Sequence, residues 1–218
     1  MFVEHRLLWG IILVVVFSLL RFTQTQIWQK WFPTHDFQVS SRFFLFIMVW
    51  TVILSISLVV VGIVWLPRIT WQQLGWSKKG LQKAIGLGLV GCILLSINIV
   101  AWGILKGESE QPEFSVPSLN RLLIVAFFAF SQPAWVEENL YRGYLQPLLV
   151  GRMNLWLAIL VQAAIFSLAH LGYTSNLFDF GSSFTAGLIL GALRGRESNL
   201  AAPFVAHGLF WMMTAFMI

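Results

Sequence analysis

The chain has 218 residues, of which 58% are hydrophobic and only 11% are charged. Soluble domains are usually about 45–50% apolar and about 25% charged, so this composition indicates a protein that lies mostly in lipid. The formal net charge is +5, but the basic residues do not gather with stacking aromatics, which argues against a nucleic-acid partner. The one cysteine, Cys92, excludes an internal disulfide and a cysteine-based zinc site.

Three long apolar segments come first in the chain. A helix needs about 20 apolar residues to cross a bilayer core, and the segments 7–20, 43–66 and 84–105 approach or reach that length. They predict three membrane helices, and a hydrophilic loop, 106–120, follows the third.

The basic loop 67–83 favours the cytoplasmic side of a membrane. Arg21, Lys30 and Arg42 lie at the opposite ends of the same helices. The charge pattern therefore leaves the orientation open.

Shorter and less apolar segments follow the loop, which is typical of helices that line a cavity. They span 122–136 with a helical continuation to about 150, then 155–171 with Asn154 as N-cap, 184–193 with Ser182 and Ser183 as N-cap, and 200–218. Gly187, Gly191 and Gly195 recur every fourth residue, and this spacing lets two helix backbones approach closely.

Five ionisable residues lie in or at the edge of these apolar segments, namely Glu137, Glu138, Arg142, His170 and His207. A charge at the centre of a membrane helix costs about 2.5–3.5 kcal/mol even on the gentler scales. Five such groups on separate segments are therefore expected to meet in one site. Intramembrane ionisable residues also indicate a functional site by default.

The spacing assigns different surroundings to the two glutamates. Glu138 and Arg142 are four residues apart, so they share a helix face and can pair. Glu137 is rotated by about 100° from Glu138 in a regular helix, which leaves it to meet substrate or water. Neither His170 nor His207 has a charged neighbour within one turn, so any partner must come from another helix.

A carboxylate beside imidazoles can activate water. The glutamate takes the proton, one histidine orients the water or protonates the leaving amine, and a second stabilises the oxyanion. The alternative is a buried ion network that fixes helix register. It is as good an interpretation of Glu138 and Arg142, whereas Glu137 with His170 and His207 favours function.

The sequence resembles the CPBP family of CAAX proteases and bacteriocin-processing enzymes, also called Abi. Residues 137–142 match its EExxxR motif, residues 166–170 match its FxxxH motif, and His207 falls where a third motif places a histidine. The three motifs occur in order at the ends of apolar helices, and the resemblance extends from about residue 122 onward.

This resemblance implies a membrane-embedded endopeptidase of the glutamate type. Glu137 would activate water with help from His170, Glu138 and Arg142 would shape the site, and His207 would help to form the oxyanion hole. No cofactor is implied. The implied substrates are peptides or proteins in or at the membrane, with a lipidated C-terminus or a leader peptide.

The third motif is usually HxxxN, and Trp211 stands at the Asn position. Its indole N–H can donate one hydrogen bond and so support an oxyanion. Losing an oxyanion donor costs about 10²–10³ in rate. A non-catalytic membrane scaffold or immunity-type protein, with a membrane-protein partner, therefore stays open as an alternative.

A zinc peptidase is a second alternative, since one glutamate and two histidines could supply three ligands, although no HExxH is present. A transporter is disfavoured because the sequence shows no internal repeat. A serine protease is disfavoured because the Gly181-Ser182-Ser183 stretch has no GxSxG frame.

The predicted fold is an all-α, multi-pass membrane bundle of about seven or eight helices around a buried polar cavity. Residues 1–120 supply N-terminal helices and loops, and residues 121–218 form the core that carries the site. Together they form one integral membrane domain.

Overall fold

The computed structural model describes residues 3–31, 42–65, 67–107, 114–170 and 177–216. These residues are almost entirely helical, and no β-strand occurs among them, as the all-α prediction requires. The helices are α1 (Val3–Trp31), α2 (Arg42–Val59), α3 (Trp71–Leu74), α4 (Leu81–Lys106), α5 (Leu119–Ala129), α6 (Gln146–Val150), α7 (Leu155–Leu168), α8 (Leu177–Glu197) and α9 (Ala201–Met212).

Three further segments extend these helices with a different winding. Val60–Trp65 continues α2 as a π-helix, Phe130–Leu145 joins α5 to α6 as a π-helix, and Met213–Phe216 ends α9 as a 3₁₀ turn. The second of these is called the π segment below. It makes residues 119–150 one continuous helix of 32 residues.

Three helical stretches are long and apolar enough to cross a membrane, within the part of the chain that the structure describes. They are His5–Thr23, Leu81–Lys106 and Leu119–Val150. The first and second correspond to the predicted segments 7–20 and 84–105. The predicted loop 106–120 falls partly outside the described residues, as do residues 66, 171, 217 and 218 of the predicted segments.

The predicted start of the sixth segment is wrong. Helix α8 begins at Leu177, so Ser182 and Ser183 lie inside it and cannot cap it. The Ser182 carbonyl instead accepts a hydrogen bond from the Asn98 side chain of α4 at 3.1 Å. The Asn154 cap is confirmed, because its side chain accepts from the Leu157 N–H at 2.9 Å.

Two apolar clusters hold the bundle together. The larger contains Leu13 and Phe17 of α1, Ile63 after α2, and Tyr141 of the π segment. It joins residues from both sides of position 120. The smaller contains residues of α4, α8 and α9, which are Ala84, Leu95, Leu190, Leu193, Ala201, Ala202 and Ala206. The division at 120 and 121 therefore stays a prediction, and the first cluster crosses it.

Small residues let the helices of the C-terminal part pack closely. A Cβ added to Gly187 would lie 3.0 Å from Ala163 Cα of α7, and one added to Gly191 would lie 3.0 Å from Ile159 Cγ2. One added to Gly195 would lie 3.1 Å from Leu155 Cδ1. The glycine stripe thus packs α8 against α7, as predicted.

Helix α4 has one face of small residues and one of exposed aliphatic residues. Ala84, Gly88, Gly91 and Leu95 are buried. The opposite stripe is exposed and comprises Ile85, Leu89, Ile93, Ile97, Val100 and Ile104. A continuous aliphatic stripe along 26 residues is suited to lipid rather than water, which agrees with a membrane protein.

The two glycines near the start of α4 give a matched test of this packing. A Cβ on Gly88 would lie 2.8 Å from the Ala202 carbonyl oxygen, whereas a Cβ on Gly86 would meet nothing within 4 Å. We expect Gly88→Ala to destabilise the protein by about 1–3 kcal/mol through overpacking. Gly86→Ala should stabilise it by up to about 1 kcal/mol through helix propensity. Thermal unfolding in detergent measures both, and equal shifts of the same sign would contradict the packing of α4 on α9.

Candidate active site

The π segment carries three of the predicted site residues. Its winding is seen where the Gln146 N–H bonds to the Tyr141 carbonyl, five residues back. Pro133 lies inside its first turn and cannot donate to the helix ladder. π-Helical turns are rare in proteins overall, but those that occur are often found at functional sites. Here the segment buries a run of polar side chains that includes both glutamates.

Glu138 and Arg142 form the predicted pair. Arg142 Nη1 donates to Glu138 Oε1 at 3.1 Å, and both side chains are fully buried. The second amino group, Nη2, donates to the Gly187 carbonyl at 3.4 Å. Gly187 of the glycine stripe thus also contacts the site, through its backbone carbonyl.

His207 of α9 also bonds to Glu138, which is the cross-helix partner that the sequence required. Its Nδ1 lies 2.7 Å from Glu138 Oε1. Its Nε2 lies 3.0 Å from Trp211 Nε1. Since an indole nitrogen can only donate, Nε2 must accept, and Nδ1 carries the proton towards the carboxylate. The bonds therefore fix His207 as a neutral imidazole.

Glu137 has different surroundings. It is 1% exposed, and its Oε1 lies 3.9 Å from Arg21 Nη2 of α1. Its other oxygen, Oε2, is buried without a hydrogen-bond partner among the residues that the structure describes. Glu137 is thus held by a distant charge rather than by a closed network.

His170 follows the end of α7. Its Nδ1 lies 2.7 Å from the Phe166 carbonyl, and because a carbonyl only accepts, Nδ1 carries the proton and the lone pair is on Nε2. In the neutral ring, Nε2 is therefore the nitrogen that can accept a hydrogen bond or a proton.

Phe166 is the apolar centre of this arrangement. Its ring lies 4.4 Å from the His170 ring and 6.3 Å from the His207 ring. The Arg142 guanidinium carbon lies 4.3 Å from the same ring centroid, which allows a cation–π contact. The phenylalanine of the FxxxH motif therefore packs beside both histidine rings and the buried arginine.

One cavity of about 560 Å³ brings the predicted residues together. Glu137, His170 and His207 all line it, as does Trp211. Most of its wall is apolar and includes Leu95, Ile99, Val100, Phe114, Leu190, Phe210 and Met213. The predicted polar character of the cavity therefore stays a prediction, because most of the lining side chains are apolar and only a few are ionisable.

Arg21 is the site residue that the sequence did not indicate. Its position after an apolar segment suggested a helix flank, but it lies within α1 and lines the cavity. The available signal was its spacing. Val14, Phe17 and Arg21 fall on one helix face, and the two apolar residues are buried.

The donor set does not fit a zinc site. No group of three His, Cys, Asp or Glu side chains in the described ranges could hold a metal. His207 has both nitrogens in hydrogen bonds, to Glu138 and Trp211, and would have to leave one of them to bind a metal. The expectation that no cofactor is needed stays a prediction.

A comparison with protein-family models places the C-terminal part of the chain. Residues 119–213, somewhat less than half of the sequence, match the family described as type II CAAX prenyl endopeptidase Rce1-like. The matched family is the one that the motifs predict for this part of the chain. The matched segment contains all six residues proposed from the sequence and excludes Arg21. Searches of curated proteins and of solved structures gave no match.

Arg142 should be essential for stability. Arg142→Met leaves Glu138 as a buried charge with its strongest partner removed, so we expect a loss of about 3–5 kcal/mol. The control is Lys83→Met, because Lys83 pairs with Glu197 at 3.0 Å and its own side chain is 71% exposed, although that of Glu197 is only 10% exposed; water screens a pair that is open on one side, so its loss should cost less than that of the fully buried pair. Thermal unfolding in detergent compares them, and equally small losses would show that the buried network does not support the fold.

Proposed function

We propose that this membrane protein, with its Rce1-like segment, is a multi-pass endopeptidase that hydrolyses a peptide bond with water activated by Glu137. The observation that carries the proposal is the buried Glu137 Oε2, which has no hydrogen-bond partner among the described residues. It belongs to a residue that lines the same cavity as His170 and His207. A carboxylate at the wall of an apolar cavity, with one oxygen that lacks a hydrogen-bond partner among the described residues, is suited to accept a proton from water.

In the proposed reaction the carboxylate of Glu137 is the base, and the imidazole of His170 is a hydrogen-bond partner of the attacking water. Glu137 takes a proton from water as the oxygen attacks the scissile carbonyl carbon. The tetrahedral intermediate collapses when the C–N bond breaks and the leaving amine receives that proton from Glu137. His170, with its lone pair on Nε2, orients the water through a hydrogen bond. No metal or cofactor enters these steps.

His207 and Trp211 are the groups nearest to an oxyanion role. His207 Nε2 accepts from Trp211 in the free protein, so a neutral His207 has no proton to offer there. The indole N–H of Trp211 would have to turn from His207 towards the oxyanion. This requirement lowers the expected rate, because donors that are not preorganised stabilise a transition state less.

The cavity favours a substrate with both a peptide and an apolar part. Its walls are mainly aliphatic and aromatic, with the ionisable groups confined to part of the surface. A lipidated C-terminal peptide fits this chemistry, and the name of the matched family specifies prenyl substrates for its members. A leader peptide with an apolar segment is the alternative. In both cases the surrounding lipid delivers the substrate.

Replacing Glu137 tests the chemistry. Glu137→Gln keeps the shape but cannot accept the proton, so we expect hydrolysis to fall by about 10²–10⁴-fold. The matched control is Glu197→Gln, because Glu197 pairs with Lys83 outside the cavity. The assay follows cleavage of a farnesylated peptide and of a leader peptide in proteoliposomes. Wild-type rates in the Glu137→Gln protein would rule out the proposed mechanism.

A second candidate function is a non-catalytic membrane scaffold. The closed chain of bonds from Trp211 through His207 and Glu138 to Arg142 favours it, because each of these groups is engaged structurally. A scaffold would need the network for stability and partner binding alone. Hydrolysis would then be absent from the wild type and from every variant.

Trp211 separates the two functions. Trp211→Asn supplies an amide donor at the oxyanion position, and we expect it to raise kcat by about tenfold or more. Trp211→Phe removes the N–H and adds no donor, so its kcat should not exceed that of the wild type. Steady-state cleavage of the same peptides measures both. Equal kcat values for the three proteins would show that Trp211 takes no part in stabilising the oxyanion.

A further inference from the structure

Arg21 lies on the inner face of α1. Val14 and Phe17 on that face are 5% and 2% exposed, whereas Val15 and Leu19 on the opposite face are 51% and 60% exposed. The Arg21 side chain is 19% exposed. Burying a charged guanidinium on the apolar inner face of a membrane helix costs free energy unless an opposite charge pairs with it. We therefore expect Arg21 to have an anionic partner.

Helix α1 runs antiparallel to the π segment, and its contacts follow that order. The Tyr144 hydroxyl donates to the Arg6 carbonyl at 3.2 Å near the start of α1. Further along, Phe17 joins the core cluster that contains Tyr141. Arg21 then reaches Glu137 at 3.9 Å. The register of the whole interface thus sets the position of Arg21.

The charges of the two buried carboxylates beside the cavity balance only when Arg21 is included, since Asp179, which also lines the cavity, pairs with Lys106 at 3.5 Å. The two buried carboxylates are Glu137 and Glu138. Arg142 is bonded to Glu138 and to a backbone carbonyl, and the hydrogen bonds of His207 fix it as neutral. Within the described residues, Arg21 forms an ion pair with Glu137.

We propose that Arg21 is the counter-ion and positioning residue of Glu137, so that α1 completes a site whose other members lie within 119–213. The catalytic meaning of this pair rests on the proposed function. Arg21 acts through Glu137 rather than on the reacting atoms. It holds the Glu137 carboxylate in place at the wall of the cavity, while Oε2 keeps no hydrogen-bond partner among the described residues. The Rce1-like segment alone would then lack a group that the reaction needs.

Enzyme kinetics test the positioning role. Arg21→Gln should lower kcat by about 10- to 100-fold, the usual effect of a misplaced reacting group, with KM nearly unchanged. Arg21→Lys should retain most of the rate, because one cationic contact is required rather than a bidentate fork. The control is Arg6→Gln on the same helix, which should keep the wild-type kcat.

A double-mutant cycle tests the ion pair without using activity. Arg21→Gln should lower the thermal unfolding temperature in the wild type and lower it less in the Glu137→Gln background, because the two side chains interact. Equal shifts in both backgrounds would overturn the pair. A wild-type kcat in Arg21→Gln would overturn the positioning role while the Glu137 mechanism stands. If the two mutations are coupled in their effect on thermal unfolding but the wild-type protein cleaves neither peptide, the ion pair is supported and the proposed function is wrong.

Discussion

The structure depends on how two adjacent carboxylates are accommodated in an apolar interior. Glu137 and Glu138 are 1% and 0% exposed, and an isolated charge in such surroundings is strongly unfavourable. Each carboxylate has a guanidinium, from Arg21 and Arg142 respectively. The consequence for the fold is that α1, α8, α9 and the π segment must all meet at one place.

The two carboxylates differ in the completeness of their surroundings. Glu138 accepts from Arg142 and from His207, and removing it would leave a buried cation and a histidine without their partner. Glu137 has one distant charge, and its buried Oε2 has no hydrogen-bond partner among the described residues. A strongly bonded carboxylate suits a structural role, whereas an incompletely bonded one is better able to accept a proton. This contrast supports the assignment of the base to Glu137.

Much of this site could be predicted from the sequence. The cost of burying a charge belongs to each residue, and the spacing of residues along one helix can be read from the sequence alone. The four-residue interval between Glu138 and Arg142 predicts their bond, and the glycine repeat predicts that another helix approaches α8 closely, without saying which one. The long-range partners could not be predicted in the same way. The pairing of His207 with Glu138 depends on the wide winding of the π segment, and that of Arg21 with Glu137 depends on helix register. The start of α8 was misplaced because Ser182 and Ser183 are polar residues that here face α4 and the cavity.

The most direct measurement is site-specific labelling with a lipid-soluble carbodiimide, which modifies carboxyl groups reached from an apolar space. The modified positions are read by mass spectrometry, with and without a farnesylated peptide. The account predicts modification of Glu137 but not of Glu138, loss of hydrolysis in proportion to labelling, and protection by the peptide. Modification of Glu138 instead, or labelling of Glu137 that the peptide does not slow, would contradict the claim that Glu137 alone faces the substrate.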